Sequence, residues 1–515
     1  MSRRALAILI TLSVSTPLLL AQTPARPAAP TTASAATPDV LYRRATEAWE
    51  AGAYPDELAA LQQLMKNPAA AEYRDRVALL TGELFVTTDI TTDGRSPKIS
   101  PNGQYVAYEM GSASDPRTRV VKLTSGAPQL VVDVIGTSLA FDTGSRVAWI
   151  RPPQSTEWTA AVKALDAAPA TGAERTAALA QTAWVLAQSG ELVVRDLIAG
   201  TERIVPTAGV LKTAPIWGAQ NTLLFIGADA ADLTRSDVYA DRGTPTRLTE
   251  EAGFKSNVLV DPSGAAVLYS VSTTATFRKP QPADAAAGRG GRAGGAGGGR
   301  AGGAGGGAAD APPPAPNPCG GGGRGGGAAA FGVVNLQTRA TRVINGLQPT
   351  MSADGSTIAW LQRDGDVCRL ERAKTLGTTS TTARATTRIN APALSPDGSQ
   401  VAYEYTAVND SEIFVTDQAG AHRRVTRDIQ HDILPRFLTN TTLLGMMGEP
   451  RHRRSQLYDL TTGTRTRLFA NNTIRTISPE YIWLPSADGQ KLLIHAERDG
   501  DTVSPERGVY VIDLT

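Results

Sequence analysis

The stretch Ala393–Tyr405 reads ALSPDGSQVAYEY, and nearly the same wording returns at 98–110 (KISPNGQYVAYEM) and 350–362 (TMSADGSTIAWLQ). Aligned on the turn glycine, copies fall at Gly103, Gly144, Gly264, Gly355, Gly398 and Gly489. Three positions on stands a branched aliphatic: Val106, Val147, Val267, Ile358, Val401 or Leu492. The next residue is small or aliphatic, from Ala107 to Leu493, and the fifth is aromatic (Tyr108, Trp149, Tyr269, Trp360, Tyr403) except at Ile494. Two looser copies, ending near Gly227 and Met447, bring the count to eight. In Ser395-Pro396-Asp397-Gly398 the proline presets the first turn angle, the aspartate caps the turn, and the glycine accepts a positive φ. The next residues read as a strand packed on both faces, with the small residue letting a neighbouring sheet approach closely.

Each copy is followed by a strand, a turn and a second strand, as in EIFVTDQAGAHRRVT (Glu412–Thr426) and SQLYDLTTGTRTRLF (Ser455–Phe469). Together the two signatures make a four-stranded antiparallel sheet. Units begin near 97, 138, 214, 257, 349, 392, 433 and 477, mostly 41 to 44 residues apart, which is the size of a propeller blade. Two long gaps are insertions of roughly 35 and 50 residues against that blade length. The fold expected over 83–515 is therefore an all-β, eight-bladed β-propeller. A seven-bladed ring is the alternative, because the third and seventh copies are degenerate. These SPDG…VAY copies resemble the WD40-like (PD40) repeats of TolB-type propellers, which also occur in propellers of secreted prolyl-oligopeptidase-type and zinc aminopeptidase-like peptidases. The familiar TolB ring has six blades and a separate N-terminal α/β domain, so a direct TolB role does not follow.

The last unit, GVYVIDLT (Gly508–Thr515), matches its siblings only as far as the turn, so its fourth strand is missing. GELFVTTDI (Gly82–Ile90) precedes the first unit and is a strand of suitable length. It is expected to complete the final blade, since closure removes the edges that invite aggregation.

Ahead of the ring, Ser2-Arg3-Arg4 and the apolar run Ala5–Leu20 read as a secretory signal peptide, residues 1–21. Residues 22–38 are a Pro/Ala/Thr linker with nothing to bury, and 39–80 carry Leu41, Ala45, Trp49, Leu58, Leu61 and Leu64 at helical spacing. This short helical segment is expected to pack against the part of the chain that comes next. The signal peptide implies a periplasmic or secreted protein, with no stable membrane insertion after cleavage.

The insertion at 151–182 is alanine-rich and is expected to form one or two helices over the second blade. The other, 280–330, is dominated by glycine and alanine and offers no core. It contains Arg289, Arg292, Arg300 and Arg324, but no aromatics interleave for base stacking, so nucleic acid is not expected as a partner. The net charge of +2 agrees. One of the two cysteines, Cys319, lies in this tract and the other is Cys368, so no disulfide is expected.

Catalytic signatures are absent from the sequence. There is no G-x-S-x-G elbow, no H-E-x-x-H, and no zinc-spaced cluster among His422, His431, His452 and His495. His431-Asp432 is an immediate His–Asp pair, read as a blade-entry residue that hydrogen-bonds a turn, and His495 is read as a blade-surface side chain. RDGD occurs at Arg363–Asp366 and Arg498–Asp501, where Asp-Gly is an ordinary hairpin signal and two aspartates are too few for a hard cation. Glu250-Glu251 invite comparison with paired glutamates that hold a peptide amine in some propeller peptidases, but the surrounding motif is not matched. No catalytic, cofactor or metal site is expected. Arg423, Arg424, Arg451, Arg453 and Arg454, with His431, are the candidate partner-binding residues, as a positive patch on blades 6 and 7. The composite expectation is an exported, monomeric, non-catalytic module that binds protein or peptide partners in the bacterial envelope. The alternative is the propeller portion of a secreted peptidase whose catalytic domain lies outside this sequence.

Overall fold

A computed structural model describes residues 36–65, 67–73, 76–77, 85–124, 127–218, 222–260, 265–280, 319, 330–386, 388–407, 410–448, 454–468, 481–496 and 508–514. The signal-peptide reading of 1–21, Arg451, Arg453, His452 and the second RDGD lie outside these residues. Eight antiparallel sheets follow one another along the chain. Blade 1 spans 95–135, blade 2 137–204, blade 3 210–247, blade 4 254–345, blade 5 347–386, blade 6 389–424, blade 7 432–467, and blade 8 481–513 together with Val86–Thr91. Within a blade the strands are called A to D, in sheet order. The A strands of neighbouring blades touch one another at six of the eight junctions, all but 4–5 and 7–8, so A is innermost and D outermost. In blade 3 strand A is split into Val210–Lys212 and Ile216–Trp217.

The repeat explains the ring. Val106, Val147, Val267, Ile358, Val401 and Leu492 are all completely buried, and the aromatics two residues later are nearly so. Trp149 and Val147 of blade 2 pack back onto blade 1, where they meet Ala107. Ala148 faces forward onto Phe225 of blade 3. The small residue between two bulky ones is therefore the socket for the next blade's aromatic. Between blades 8 and 1, Leu493, Val509 and Val511 meet Val106, Tyr108 and Val121, so the ring is closed. Closure uses both ends of the described chain: Val86–Thr91 is strand D of blade 8, paired antiparallel with Gly508–Asp513 from Val86↔Asp513 to Thr91↔Val509. The expectation from the unfinished last repeat holds, and so does the count of eight.

The A–B turn is built the same way in blades 1, 5, 6 and 8. In blade 6, Ser395 Oγ donates to Asp397 Oδ1 (2.7 Å) and accepts from Gln400 N (2.9 Å), while Ser399 N donates to Asp397 Oδ1 (2.9 Å). Ser100, Ser352 and Ser486 repeat this at their turns, and all four serines are buried. Gly398 closes its turn at φ +66°. Serine is thus as much part of the turn as the aspartate.

Tyrosines lie across glycines on neighbouring strands in blades 3, 4 and 7, at Gly227/Tyr239, Gly332/Tyr269 and Gly445/Tyr458. A Cβ on Gly332 would stand 2.2 Å from Cζ of Tyr269, which is fully buried and donates its hydroxyl to Glu251 Oε1 at 2.6 Å. Gly332→Ala is expected to cost about 2–3 kcal/mol of unfolding free energy, read from a urea titration. An effect below about 0.5 kcal/mol, the range of ordinary surface changes, would show that the ring does not need this gap.

Both insertions fall between strands B and C, in blades 2 and 4, at the end of the blade where the D–A connections also run. The first forms two helices, Thr156–Ala167 (α3) and Ala173–Ser189 (α4). The second of these packs on blade 2, as expected, and on blade 3 as well: Leu186 joins the cluster of Ile150, Leu192 and Phe225, and Trp184 and Ala187 meet Leu211 and Ile226. Lys212 reaches its last turn, donating to Ala187 O (3.3 Å) and Gln188 O (3.4 Å), the end of a helix where carbonyls lack partners. Burial lowers the Lys212 ammonium pKa to about 8.

The second insertion departs from its sequence reading. Cys319 is completely buried and disulfide-bonded to Cys368, at the start of strand C in blade 5. Both sulfurs sit among Leu361, Leu370, Ile389 and Tyr403, between blades 5 and 6. Composition hides one buried position inside a polar tract, and its partner is set by the ring, not by sequence spacing. The N-terminal segment forms the short helices that its spacing predicts. Pro38–Glu50 (α1), Tyr54–Met65 (α2) and a 3₁₀ turn, Pro68–Tyr73, bury Leu41, Ala45, Leu61, Leu64 and Tyr73 against one another, while Trp49 is 48 % exposed.

Candidate functional site

The inner wall of the ring is strained in a regular way. Six A strands each hold one non-glycine residue with left-handed backbone: Ser96, Ser138, Asn257, Gln348, Ala391 and Leu434, with φ between +47° and +61°. Each lies beside a register shift, for instance between Asn390 and Ala393. Conformations of this kind cost about 1–3 kcal/mol apiece and persist only when the surroundings hold them. Here the preceding blade does so. Ser138 N donates to Glu109 Oε1 (2.7 Å), Ala391 N to Gln348 Oε1 (2.9 Å) and Leu434 N to Glu404 Oε1 (2.5 Å). Gln348 Nε2 donates to Asn390 Oδ1 (2.7 Å) and Asn390 Nδ2 to Glu404 Oε2 (3.0 Å), which continues the chain across blades 5, 6 and 7. The visible sequence signal was the glutamate that ends VAYE.

Two residues before each left-handed position lies a second recurrent site, occupied by Gly94, Gly136, Gly346, Ile389, Lys255 or Asp432. At the junction of blades 3 and 4, fully buried Lys255 donates to Glu251 O (2.5 Å) and lies 3.6 Å from Asp237 and 3.7 Å from the Glu251 carboxylate. Glu251 is thereby committed to the fold and Glu250 is exposed, so the two do not form a paired amine-binding site. The junction of blades 6 and 7 has the same plan without the cation. Glu412 takes Asp237's place, bonded to Arg424 and to Thr426 Oγ1 (2.5 Å), but Asp432 stands where Lys255 would. Tyr458 OH donates to Asp432 Oδ1 (2.9 Å), and Oδ2 has no partner. Burial pushes the Asp432 carboxyl up to about 7, with Asp428 and Glu412 adding to the shift and the Tyr458 bond and Arg465 opposing it.

That shift carries a sign. A carboxyl whose folded pKa lies above its unfolded value favours the folded state at low pH, and this contribution is lost as pH rises from about 4 to about 7. Asp432→Asn keeps the acceptor for Tyr458 and removes the titration. The variant is expected to match the parent near pH 4 and to exceed it by about 2–4 kcal/mol above pH 7. Equal stability of the two proteins at pH 8 would refute the buried-acid assignment.

Among the residues singled out in the sequence, Arg424 is bound to Glu412, and Arg423 donates to the carbonyl of Leu460 on blade 7. Both thus have intramolecular partners on the outer edge of blade 6. Arg454 begins strand C of blade 7, at the opposite face's loops, half-buried. His431 Nδ1 accepts from Ser411 N at 3.2 Å, on strand C of blade 6 rather than in a turn, while Asp432 accepts from Tyr458. His422 is exposed and His495 is buried, not on a blade surface. Asp364, Gly365 and Asp366 form a tight hairpin between paired Asp364 and Val367. Among the described residues no three His, Cys, Asp or Glu side chains converge as a metal site, and no described helix is long and apolar enough to cross a membrane.

The ring finds counterparts among solved structures. TolB from Acinetobacter baumannii aligns over 72 % of this chain and 80 % of its own, at 11 % identity and a TM-score of 0.29. The chain resembles TolB-type and peptidase propellers. The propeller domain of the Trilobed protease from Pyrococcus furiosus, which has an open velcro topology, aligns over 74 % and 99 % (9 %, TM-score 0.36). A Mycobacterium tuberculosis puromycin-hydrolyzing peptidase aligns over 75 % of this chain (12 %, TM-score 0.39), and the match spans about half of that enzyme, 54 %. No protein-family model and no curated protein sequence matches the chain. At these identities the likeness concerns fold alone, and the eight sheets establish the fold by themselves.

Proposed function

We propose that this protein is an exported, non-catalytic binding ring for proteins or peptides in the bacterial envelope, in a TolB-like role. The observation that supports this reading most is the Cys319–Cys368 disulfide, buried between blades and tying the glycine-rich insertion to the loop face. Disulfides persist in oxidising compartments, in line with the basic-apolar N-terminus. A closed ring also presents its loops from a rigid frame, which suits recognition. Expressed with its own N-terminus in a Gram-negative host, the protein is expected in the periplasmic fraction with no free thiol. Recovery from the cytosol with two free thiols would overturn export. Peptides selected for binding should be released uncut, and cleavage that survives repurification would overturn the non-catalytic assignment.

A further inference from the structure

We propose that the cleft between blades 5 and 6 binds an extended polypeptide, which adds to the outer strand of blade 5 and places uncharged polar side chains in the cleft. This names a site for the binding function proposed above and rests on it. The cleft has a volume of about 410 Å³, within the range of ligand sites. Thr357, Arg372, Lys374 and Thr381 of blade 5 form one side, and Asp417 and Gln418 of the C–D hairpin of blade 6 form the other. A second hollow of 280 Å³ shares Lys374 and continues it toward the A–B turn of blade 5 at Asp354–Ser356.

Strand D of blade 5, Ser380–Thr386, provides the outer wall. It is mostly exposed, interrupted by one bulge, and bonded on one side to Val367–Lys374, and among the described residues no strand pairs with its other edge. Blades 2, 3, 6 and 7 treat this edge differently: their outer strands are three residues long and carry one or two charges in that length, as in Glu202–Ile204 and His422–Arg424, whereas the strand of blade 5 has Arg384 alone in seven residues. The outer strand of blade 1, Gln129–Ile135, is equally long but does not line this cleft. Short, charged edges are how sheets avoid pairing with other chains. A long bare edge beside a groove is the geometry of strand addition, in which main-chain bonds supply affinity and the groove selects side chains.

Size and charge choose the occupant. A bare strand edge offers main-chain partners to an extended segment and none to a helix, whose backbone groups bond one another, and pairing of one seven-residue edge falls far short of the roughly 1,600 Å² that stable dimers bury. The guanidinium of Arg372 is already committed to the carbonyls of Gly398 and Ser399. Across the two hollows Arg372 and Lys374 are matched by Asp354 and Asp417, a formal sum of zero. Threonine hydroxyls and Gln418 then supply the uncharged polar groups of the lining, among small residues such as Ala373, Ala383 and Ala419, favouring Ser, Thr, Asn or Gln in the bound segment over acidic or basic ones.

The test uses the full-length oxidised protein panned against a random dodecapeptide library, with the selected peptides remade carrying N-methyl groups on alternate residues in either register. Selected peptides are expected to be rich in Ser, Thr, Asn and Gln. Thr381→Trp and Gln418→Trp, filling the cleft from opposite walls, should each weaken binding about tenfold or more, whereas Gln129→Trp on the outer strand of blade 1 should not. One N-methyl register should abolish binding and the other spare it, a readout that needs no altered protein. Peptides that bind regardless of both cleft substitutions, or that tolerate both N-methyl registers, would overturn this site and leave the binding module intact. Failure to select any peptide above background would overturn the binding reading and this site with it.

Discussion

A chain lacking residues 1–91 is expected to lose about 3–5 kcal/mol of stability, or to aggregate, while one lacking only residues 1–80 stays folded and monomeric. The estimate adds five cross-strand pairs, at roughly 0.2–1 kcal/mol each, to the burial of Ile90. The difference between the two truncations is one strand. Without Val86–Thr91, the strand Gly508–Asp513 becomes the edge of blade 8, and its buried Val509, Val511 and Ile512 lie along a bare row of backbone donors and acceptors. The shorter truncation removes helices whose buried residues pack on one another. Denaturant titration and size-exclusion chromatography separate the outcomes. Equal midpoints for the two truncations would mean that the ring does not depend on closure by the N-terminal strand.

Reduction of the Cys319–Cys368 bond is expected to cost about 4 kcal/mol, since opening a loop of some 49 residues restores that much chain entropy to the unfolded state. Cys368→Ala should reproduce the loss and be insensitive to reductant. The parent in dithiothreitol should approach the variant's midpoint. The bond is expected to resist reduction until the ring opens, because both sulfurs are inaccessible between blades 5 and 6. Rapid thiol release from the native protein, with no change in its denaturation midpoint, would contradict both the burial and the energetic role.

The repeats carried much of this structure in plain sight. Residues at fixed offsets from the turn glycine, such as Val401, Ala402 and Tyr403, announced strands packed on both faces, and their spacing announced blades. Even the borrowed strand was legible, because the repeat ending at Asp513 was visibly one strand short. The positions that were misread are those whose surroundings local spacing does not record. Trp49 has helical spacing yet faces solvent, and His495 sits beside the aromatic position yet is buried. Asp432 stands next to His431 in the sequence, but its hydroxyl partner, Tyr458, is 26 residues away on another strand of the same blade.

Local chemistry alone settled the elements of this protein. In blades 1, 5, 6 and 8 a serine, an aspartate or asparagine and a glycine determine the A–B turn within four residues, and the recurrent apolar side chains determine the strand after it, so both are written where the repeat is written. Tertiary structure alone decided what lies between repeats: which carboxylate holds the next blade's left-handed residue, why Lys255 and Asp432 share one position, and which cysteine Cys319 meets. Those pairings are set by the rotation from one blade to the next. That geometry brings together side chains dozens of residues apart, and no pattern of period two records it.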